Sequence, residues 1–348
     1  MSGRHHRVPG TGIGSPAVRI VTTTLAAAAL LFAAVAMAFR YQPVTSIPRL
    51  VLSVGATFVP LIALVGLVAA VLARRPILMI IGAVLVTATL AIQVAWYYVG
   101  NNRHPDMGPY AGPYAEVRVL SSNLRYGRAD PDEFVGMASR SADVITVSEL
   151  TPEAVDRYVA AGISTDFPYS VLKAHPGAGG IGLWSRYPLT PLTAIRHRAV
   201  TIPAGRVEVP GVRHKPVVAS VHIMSPVSGD KNTVNEWSAG MAGAKAQLDN
   251  FAREAGPGAV IIGGDYNSTP DMRQFRDLLT NGYSDVVQQL GSGFAPTFKA
   301  DHPLPPLITI DHILTRNAAA ATIETVTITG SDHRSLLATV RVPLDPAA

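Results

Sequence analysis

The 348-residue chain contains no cysteine. That excludes disulfides, leaves the redox compartment unmarked and removes a cysteine nucleophile from any chemistry. Acid is missing more locally. Residues 1–99 carry no Asp or Glu, but they carry seven arginines: Arg4, Arg7, Arg19, Arg40, Arg49, Arg74 and Arg75. Residues 100–348 hold the other 22 basic residues and all 24 acids. The formal charge of +5 therefore belongs to the first third. The rest is slightly acidic, so the basic balance says nothing about its affinity for nucleic acid. No internal repeat or low-complexity tract is found.

What is present begins with apolar length. The chain is 48% apolar with mean hydropathy +0.25, and three uncharged runs over 20–39, 50–73 and 77–99 account for the excess. Each is long enough to cross about 30 Å of hydrocarbon as a helix. The expected organisation is a basic cytoplasmic tail over 1–19, three transmembrane helices within 20–99, a linker over 100–114 and one domain over 115–348. Trp96, Tyr97 and Tyr98 read as an interfacial aromatic belt, and Pro60 as a kink that membrane helices tolerate. The first run is long for a signal peptide and more spans follow, which favours its retention. Arg4, Arg7 and Arg19 precede the first span, and Arg74-Arg75 lie between the second and third. The positive-inside tendency then puts the N-terminus in the cytoplasm and residues 100–348 outside the plasma membrane.

Beyond residue 115, Val- and Ile-rich runs over 117–121, 144–147, 182–184, 217–223, 259–262, 308–313 and 323–328 read as strands. They are often apolar at consecutive positions, as in strands covered on both faces. Helices interleave with them. Asp130 reads as an N-cap followed by Pro131 and Glu133. Thr151-Pro152-Glu153 opens a second helix that Gly162 can close, and a long one covers 234–254. The alternation predicts a layered α/β domain without fixing strand order.

Five polar clusters punctuate this domain: Ser121-Ser122-Asn123, Val147-Ser148-Glu149, Gly264-Asp265-Tyr266-Asn267, Ile310-Asp311-His312 and Ser331-Asp332-His333. Four follow a strand-like run. A carboxylate there is costly to desolvate unless it is paired, hydrogen-bonded or ligating a metal. Together they suggest one shared site suited to phosphoester hydrolysis. Asp265 and Asn267 lie on the same side if the chain stays extended, offering a water-orienting carboxylate and an amide for phosphate or metal. An Asx-turn is the plainer alternative. Asp332 and His333 offer a ligand carboxylate and a base, and Asp311 can hold an imidazole in one tautomer. Glu149 reads as a hard ligand for Mg²⁺ or Mn²⁺, or as a capping residue. Asn123 can equally be a turn residue, His222 a core histidine and Arg186 a solvated arginine.

The order Asn, strand-ending Glu, Ser-Arg-Tyr-Pro, His, Gly-Asp-Tyr-Asn, Ile-Asp-His and Ser-Asp-His resembles the endonuclease/exonuclease/phosphatase superfamily over residues 115 to 342. That superfamily includes DNase I, abasic-site endonucleases, inositol-polyphosphate phosphatases and neutral sphingomyelinases. The resemblance implies a DNase I-like four-layer α/β sandwich, here preceded by three transmembrane helices. It implies Mg²⁺ (or Mn²⁺) on Glu149 beside Asn123, with Asp332 nearby. It makes Asp265 the residue that activates water and Asn267 and His222 phosphate contacts. It pairs Asp311 with His333, which would stabilise the pentacovalent phosphorus, and leaves Arg186 as a substrate contact. Pro296-Thr297-Phe298 resembles the superfamily's approach to the next strand. Loops around 174–180, 225–235 and 291–306 match no subfamily pattern.

The expected activity is that of a membrane-tethered, metal-dependent phosphoester hydrolase on the outer face. A bilayer-anchored site favours a lipid-linked phosphate as substrate. Three spans before such a domain also resemble the membrane-bound superfamily members associated with teicoplanin resistance in actinobacteria, which points to polyprenyl phosphates of the cell envelope. The alternatives are an extracellular nuclease acting on DNA or RNA, and an interaction module without catalysis.

Overall fold

The computed structural model describes residues 16–101, 112–193, 196–197, 200–228 and 231–346. Most of the expected tail and of the 100–114 linker therefore lies outside the described residues. The chain divides into two compact units. The first comprises Met1–Gln42 with Gly55–Val94, and the second Pro43–Val54 with Ala95–Ala348.

Three helical stretches are long and apolar enough to cross a membrane: Pro16–Arg40, Ile47–Leu72 and Pro76–Tyr97. The second is interrupted by a 3-10 turn at Gly55–Phe58, and Pro60 sits in the first turn of the helix that resumes at Val59. Proline is tolerated there because its missing N–H would have had no intrahelical partner. Within the first unit, small residues let helices approach: Ala26, Ala29 and Ala33 on one, Ala63, Gly66 and Ala70 on the other. A Cβ on Gly66 would lie 2.7 Å from Leu30, the close packing that small residues allow in membrane helices. Large side chains such as Leu31, Val65 and Ile80 are exposed, as apolar solvent would require.

The second unit starts earlier than residue 115. Val44 exchanges two backbone hydrogen bonds with the Gln274 amide, at 3.1 and 2.9 Å. Trp96 and Tyr97 are buried in the core of this unit, edge-on to Phe275 and Phe294. The expected aromatic belt is thus corrected: two of its three rings are core residues, and only Tyr98 is exposed.

Two six-stranded mixed sheets form the centre of this unit. One runs in the order Ala319–Thr327, Arg334–Pro343, Tyr114–Asn123, Val144–Ser148, Ile181–Ser185 and Tyr169–Lys173. The other runs Ser284–Asp285, Asp311–Arg316, Val260–Asp265, Val217–His222, Ala204–Val207 and Leu189–Pro191. Both are built alike. A central parallel pair, Tyr114–Asn123 with Val144–Ser148 or Val260–Asp265 with Val217–His222, is flanked by antiparallel strands.

Alternation along the strands sorts side chains into layers. Val218, Ile261 and Ile313 pack with Val117, Val119 and Val144 between the sheets. Val217, Ala219, Val260 and Ile262 face Trp237, Met241 and Leu248 of the helix Val234–Ala255. Leu120, Ile145 and Val147 face Phe134 and Tyr158 of the helices Pro131–Ser141 and Pro152–Ala160. The result is helix, sheet, sheet, helix. Both short helices carry the expected caps, Asp130 accepting from Glu133 N and Thr151 from Ala154 N.

The layer between the sheets changes character along its length. Inward positions read Val117, Val119, Ser121, Asn123 on one strand and Val218, Ser220, His222 on another. A third reads Ile261, Gly263, Asp265. Apolar residues give way to small ones and then to functional groups at one edge. Gly263 is required there, since a Cβ would lie 2.3 Å from Thr146 Oγ1 of the facing sheet.

Candidate active site

Six strand termini meet at that edge. Asn123, His222 and Asp265 end central strands, and Glu149 follows Ser148 directly. The antiparallel neighbours bring Asp311 and His333 to the same edge by their beginnings, with Asp311 in register opposite Asp265. Parallel pairs contribute C-terminal ends and antiparallel partners N-terminal ends, so residues more than 200 positions apart converge.

Asn123 lies at the centre. Its Nδ2 donates to Glu149 Oε1 at 3.1 Å and Asp265 Oδ2 at 3.0 Å, while its Oδ1 accepts from Arg125 N at 2.8 Å. Tyr126 N donates to Glu149 Oε2 at 2.8 Å. Asn267 N donates to Asp265 Oδ1 at 2.7 Å, and its side-chain amide to Ile223 O at 2.9 Å. Glu149, Asn267, Arg125 and Tyr126 all adopt positive φ, between 46° and 59°. Such strain persists only where surrounding structure enforces it, and it clusters at functional sites.

Two histidines flank Asp265. His333 Nδ1 pairs with Asp311 Oδ2 at 2.8 Å, leaving Nε2 3.9 Å from Asp265 Oδ2. His222 Nδ1 bonds Ala178 O at 2.9 Å, which requires a hydrogen on Nδ1. Its Nε2 then faces Asp265 Oδ2 at 3.8 Å and Glu149 Oε1 at 4.0 Å. Burial pushes the Asp265 carboxyl up to about 6, and the neighbouring Asp311 carboxylate adds to this against the pull of His333 and His222. For His333 burial works downward, but Asp311, by charge and hydrogen bond, outweighs it and raises the imidazole to about 10. The site therefore holds a carboxyl that titrates within reach of neutral pH beside a cationic donor.

A cavity of about 780 Å³ opens over these groups. Glu149, His222, Asp265, Asn267, Asp332 and His333 form its polar part, and Val200, Met224, Val227, Phe298 and Ile310 are among its apolar walls. Asp332 is half-buried and lies 3.8 Å from Arg125, which also pairs with Asp301 at 2.8 Å. Arg186 does not join this group. It follows Ser185, in register with Val144 at the opposite edge of the sheet. There it binds the Ala142 and Ser139 carbonyls, pairs with Asp166 and stacks over Phe167 at 4.5 Å. It braces a helix end and is corrected from substrate contact to scaffold.

Several site residues escape the sequence patterns. Thr297 Oγ1 accepts from Ile310 N and Asp311 N, and Ser331 Oγ donates to Asn123 O while accepting from His333 N. These hydroxyls set the backbone beneath the Asp311–His333 pair. The Pro296-Thr297-Phe298 and Ser331-Asp332-His333 runs carried them in plain view. Lys173, at the end of the strand Tyr169–Lys173, and His175, in the 174–180 loop, also line the cavity, and nothing in their spacing marked them.

The donor set fits a hard divalent cation. Asp265, Asp311 and His333 offer ligand atoms within 4.8 Å of one another, and Glu149 is bridged to Asp265 through Asn123. Because His333 Nδ1 and Asp311 are joined by a hydrogen bond, the oxygens of Glu149 and Asp265 are the better-suited ligands.

Comparison with known structures places the fold. Zebrafish TDP2, in one case complexed with a single-strand DNA product, superposes with a TM-score of 0.52 at 18% identity, covering 65% of this chain and 99% of that one. An endonuclease/exonuclease/phosphatase from Bacteroides vulgatus gives 0.50 at 14% identity, covering 66% and 99%. One from Beutenbergia cavernae gives 0.50 at 16%, covering 66% and 72%. At these identities the likeness is one of fold. No curated protein matches the sequence significantly. Residues 117–333 match a family model directly, and with the fold and the converging acid, amide and imidazole groups this settles the assignment: the chain belongs to the Endonuclease/Exonuclease/phosphatase family of metal-dependent phosphoesterases.

Proposed function

We propose that the protein is a membrane-anchored phosphoester hydrolase whose substrate is a lipid-linked phosphate. The observation that carries this reading is the cavity. Its carboxylate, amide and imidazole groups lie beside apolar walls that include the well-exposed Met224 and Val227, in a chain with three helices fit to span a bilayer. A phosphate headgroup suits the first surface and a hydrocarbon tail the second.

Asp265, held by Asn123 and Asn267, accepts a proton from the attacking water. His333, kept cationic by Asp311, donates through Nε2 to a nonbridging phosphate oxygen and stabilises charge as the phosphorus becomes five-coordinate. His222 and Asn267 bind the same phosphate. Glu149, with Asn123 beside it, would hold Mg²⁺ or Mn²⁺, and a cation there neutralises phosphate charge and helps orient the reacting groups. Asp332 lies near enough to His333 to raise its basicity and belongs to the outer part of this site. An N-terminus inside the cell, with the site outside, completes the reading.

The test uses the full chain in lipid nanodiscs with polyprenyl mono- and diphosphates, sphingomyelin, a generic phosphodiester, and single- and double-stranded DNA. Mg²⁺-dependent release from a lipid-linked phosphate, faster than from DNA, is the expected outcome. Faster cleavage of DNA would make the protein a nuclease. No release from any substrate would favour an interaction module.

A further inference from the structure

The strand Asp311–Arg316 carries two histidine–aspartate couples back to back. Asp311 faces the site and holds His333, whereas His312, the next residue, points to the other face of the sheet. There its Nδ1 lies 2.8 Å from Asp285 Oδ2 and its Nε2 lies 2.9 Å from the Ser268 carbonyl oxygen. The Ser268 carbonyl can only accept, so Nε2 carries hydrogen, and Asp285 is held in place by Val287 N and Gln288 N, which donate to its other oxygen. The ring is almost wholly buried, with Phe275 at 4.1 Å and Tyr266 edge-on at 5.8 Å.

The carbonyl it grips belongs to the residue after Asn267. From Gly264 to Asn267 the chain passes through two backbone conformations of positive φ, 152° and 46°. The chain does not stay extended past Asp265, because Asn267 N folds back onto Asp265 Oδ1 as an Asx-turn. The turn is fastened from within by the Asp265–Asn267 bond, from the helix by Trp237 Nε1 on Ser268 Oγ at 3.2 Å, and from beneath by His312. The His312 contact is shielded from water, which strengthens it relative to a solvent-exposed hydrogen bond.

We propose that His312 is a positioning residue: a buried imidazole, hydrogen-bonded to Asp285, that locks the Ser268 carbonyl and so fixes the Asp265–Asn267 turn from the face opposite the site. It touches neither substrate nor metal ligand. The catalytic consequence rests on Asp265 and Asn267 acting as proposed above, but the local fastening does not.

The experiment compares the full chain in detergent micelles with His312→Phe, His312→Gln and Asp285→Asn. Hydrogen exchange in His312→Phe should rise about tenfold or more over residues 265–268 while the strand Tyr114–Asn123 keeps its protection. His312→Gln, which retains one donor, should fall between. On bis(4-nitrophenyl) phosphate with Mg²⁺, kcat should fall with KM little changed. If His312→Phe does not fold, Asp285→Asn, which keeps the helix-capping oxygen, should loosen the same residues. Exchange that is unchanged over residues 265–268, or that rises equally in both segments, would overturn the proposal.

Discussion

Asp265 and His333 carry opposite charges 3.9 Å apart, and each is displaced upward from its ordinary value. The sign of the pH dependence follows. A carboxyl raised from 3.8 to about 6 binds its proton more tightly in the folded state, so its stabilising contribution is present below 3.8 and is lost as pH rises toward 6. An imidazole raised from 6.5 to about 10 contributes fully below 6.5 and loses that contribution toward 10. Melting temperatures measured in EDTA should therefore fall with rising pH across both windows, relative to Asp265→Asn in the lower and His333→Gln in the upper. Parallel curves for wild type and variants would show that neither shift exists. Asp311 acts through His333 and not on the phosphate directly. Asp311→Asn should lower kcat about 10²- to 10⁴-fold, as expected when a charged partner that orients a catalytic histidine is lost, with the fold retained by circular dichroism.

At the scale of elements, the site exists because two similar sheets pack face to face and their strand ends converge at one edge of the layer between them. The junction depends on residues with no side-chain bulk. Gly263→Val should destabilise the domain by about 1–3 kcal/mol, since its side chain would collide with Thr146 and Ser121 of the facing sheet. Chemical denaturation would show this as a lowered midpoint. Six of the seven expected strands form at their expected places, the one expected over 308–313 begins only at Asp311, and the three helix starts are where Asp130, Thr151 and Val234 put them. These were legible because two-sided burial leaves consecutive apolar residues and because caps are local. The strand Arg334–Pro343 went unread although Leu336, Ala338, Val340 and Val342 alternate inward. One partner, Ala319–Thr327, immediately precedes it, but the other, Tyr114–Asn123, lies more than 200 residues upstream, and pairing across that separation leaves no local mark. Strand order was unreadable for the same reason. Arg186 was misread because Ser-Arg-Tyr-Pro follows a strand just as the true site clusters do, yet that strand runs antiparallel to its neighbour and delivers its end to the wrong edge. Polar residues at strand ends announce a site, but direction decides which edge they reach.

For the whole molecule, the apolar runs and the polar clusters divide the chain less cleanly than composition suggests. Trp96 and Tyr97, at the end of the third apolar helix, belong to the core beside the Val234–Ala255 helix, as does Leu50. Trp96→Ala should cost the domain about 3 kcal/mol, the usual penalty for deleting a large buried ring, and lower its melting temperature. An unchanged melting temperature would show that the domain begins after the aromatic residues. The membrane-spanning reading itself rests on length and apolarity of three helices.

The most direct test of the account is the rate of phosphoester cleavage by the full chain in nanodiscs, over the substrate panel, with Mg²⁺ and then EDTA, beside Asp265→Ala of matched melting behaviour. The account predicts cleavage of at least one phosphoester that EDTA abolishes and that Asp265→Ala reduces about 10²- to 10⁴-fold, the contribution expected of a positioned general base. Equal rates in the variant, or cleavage that persists without metal, would contradict it.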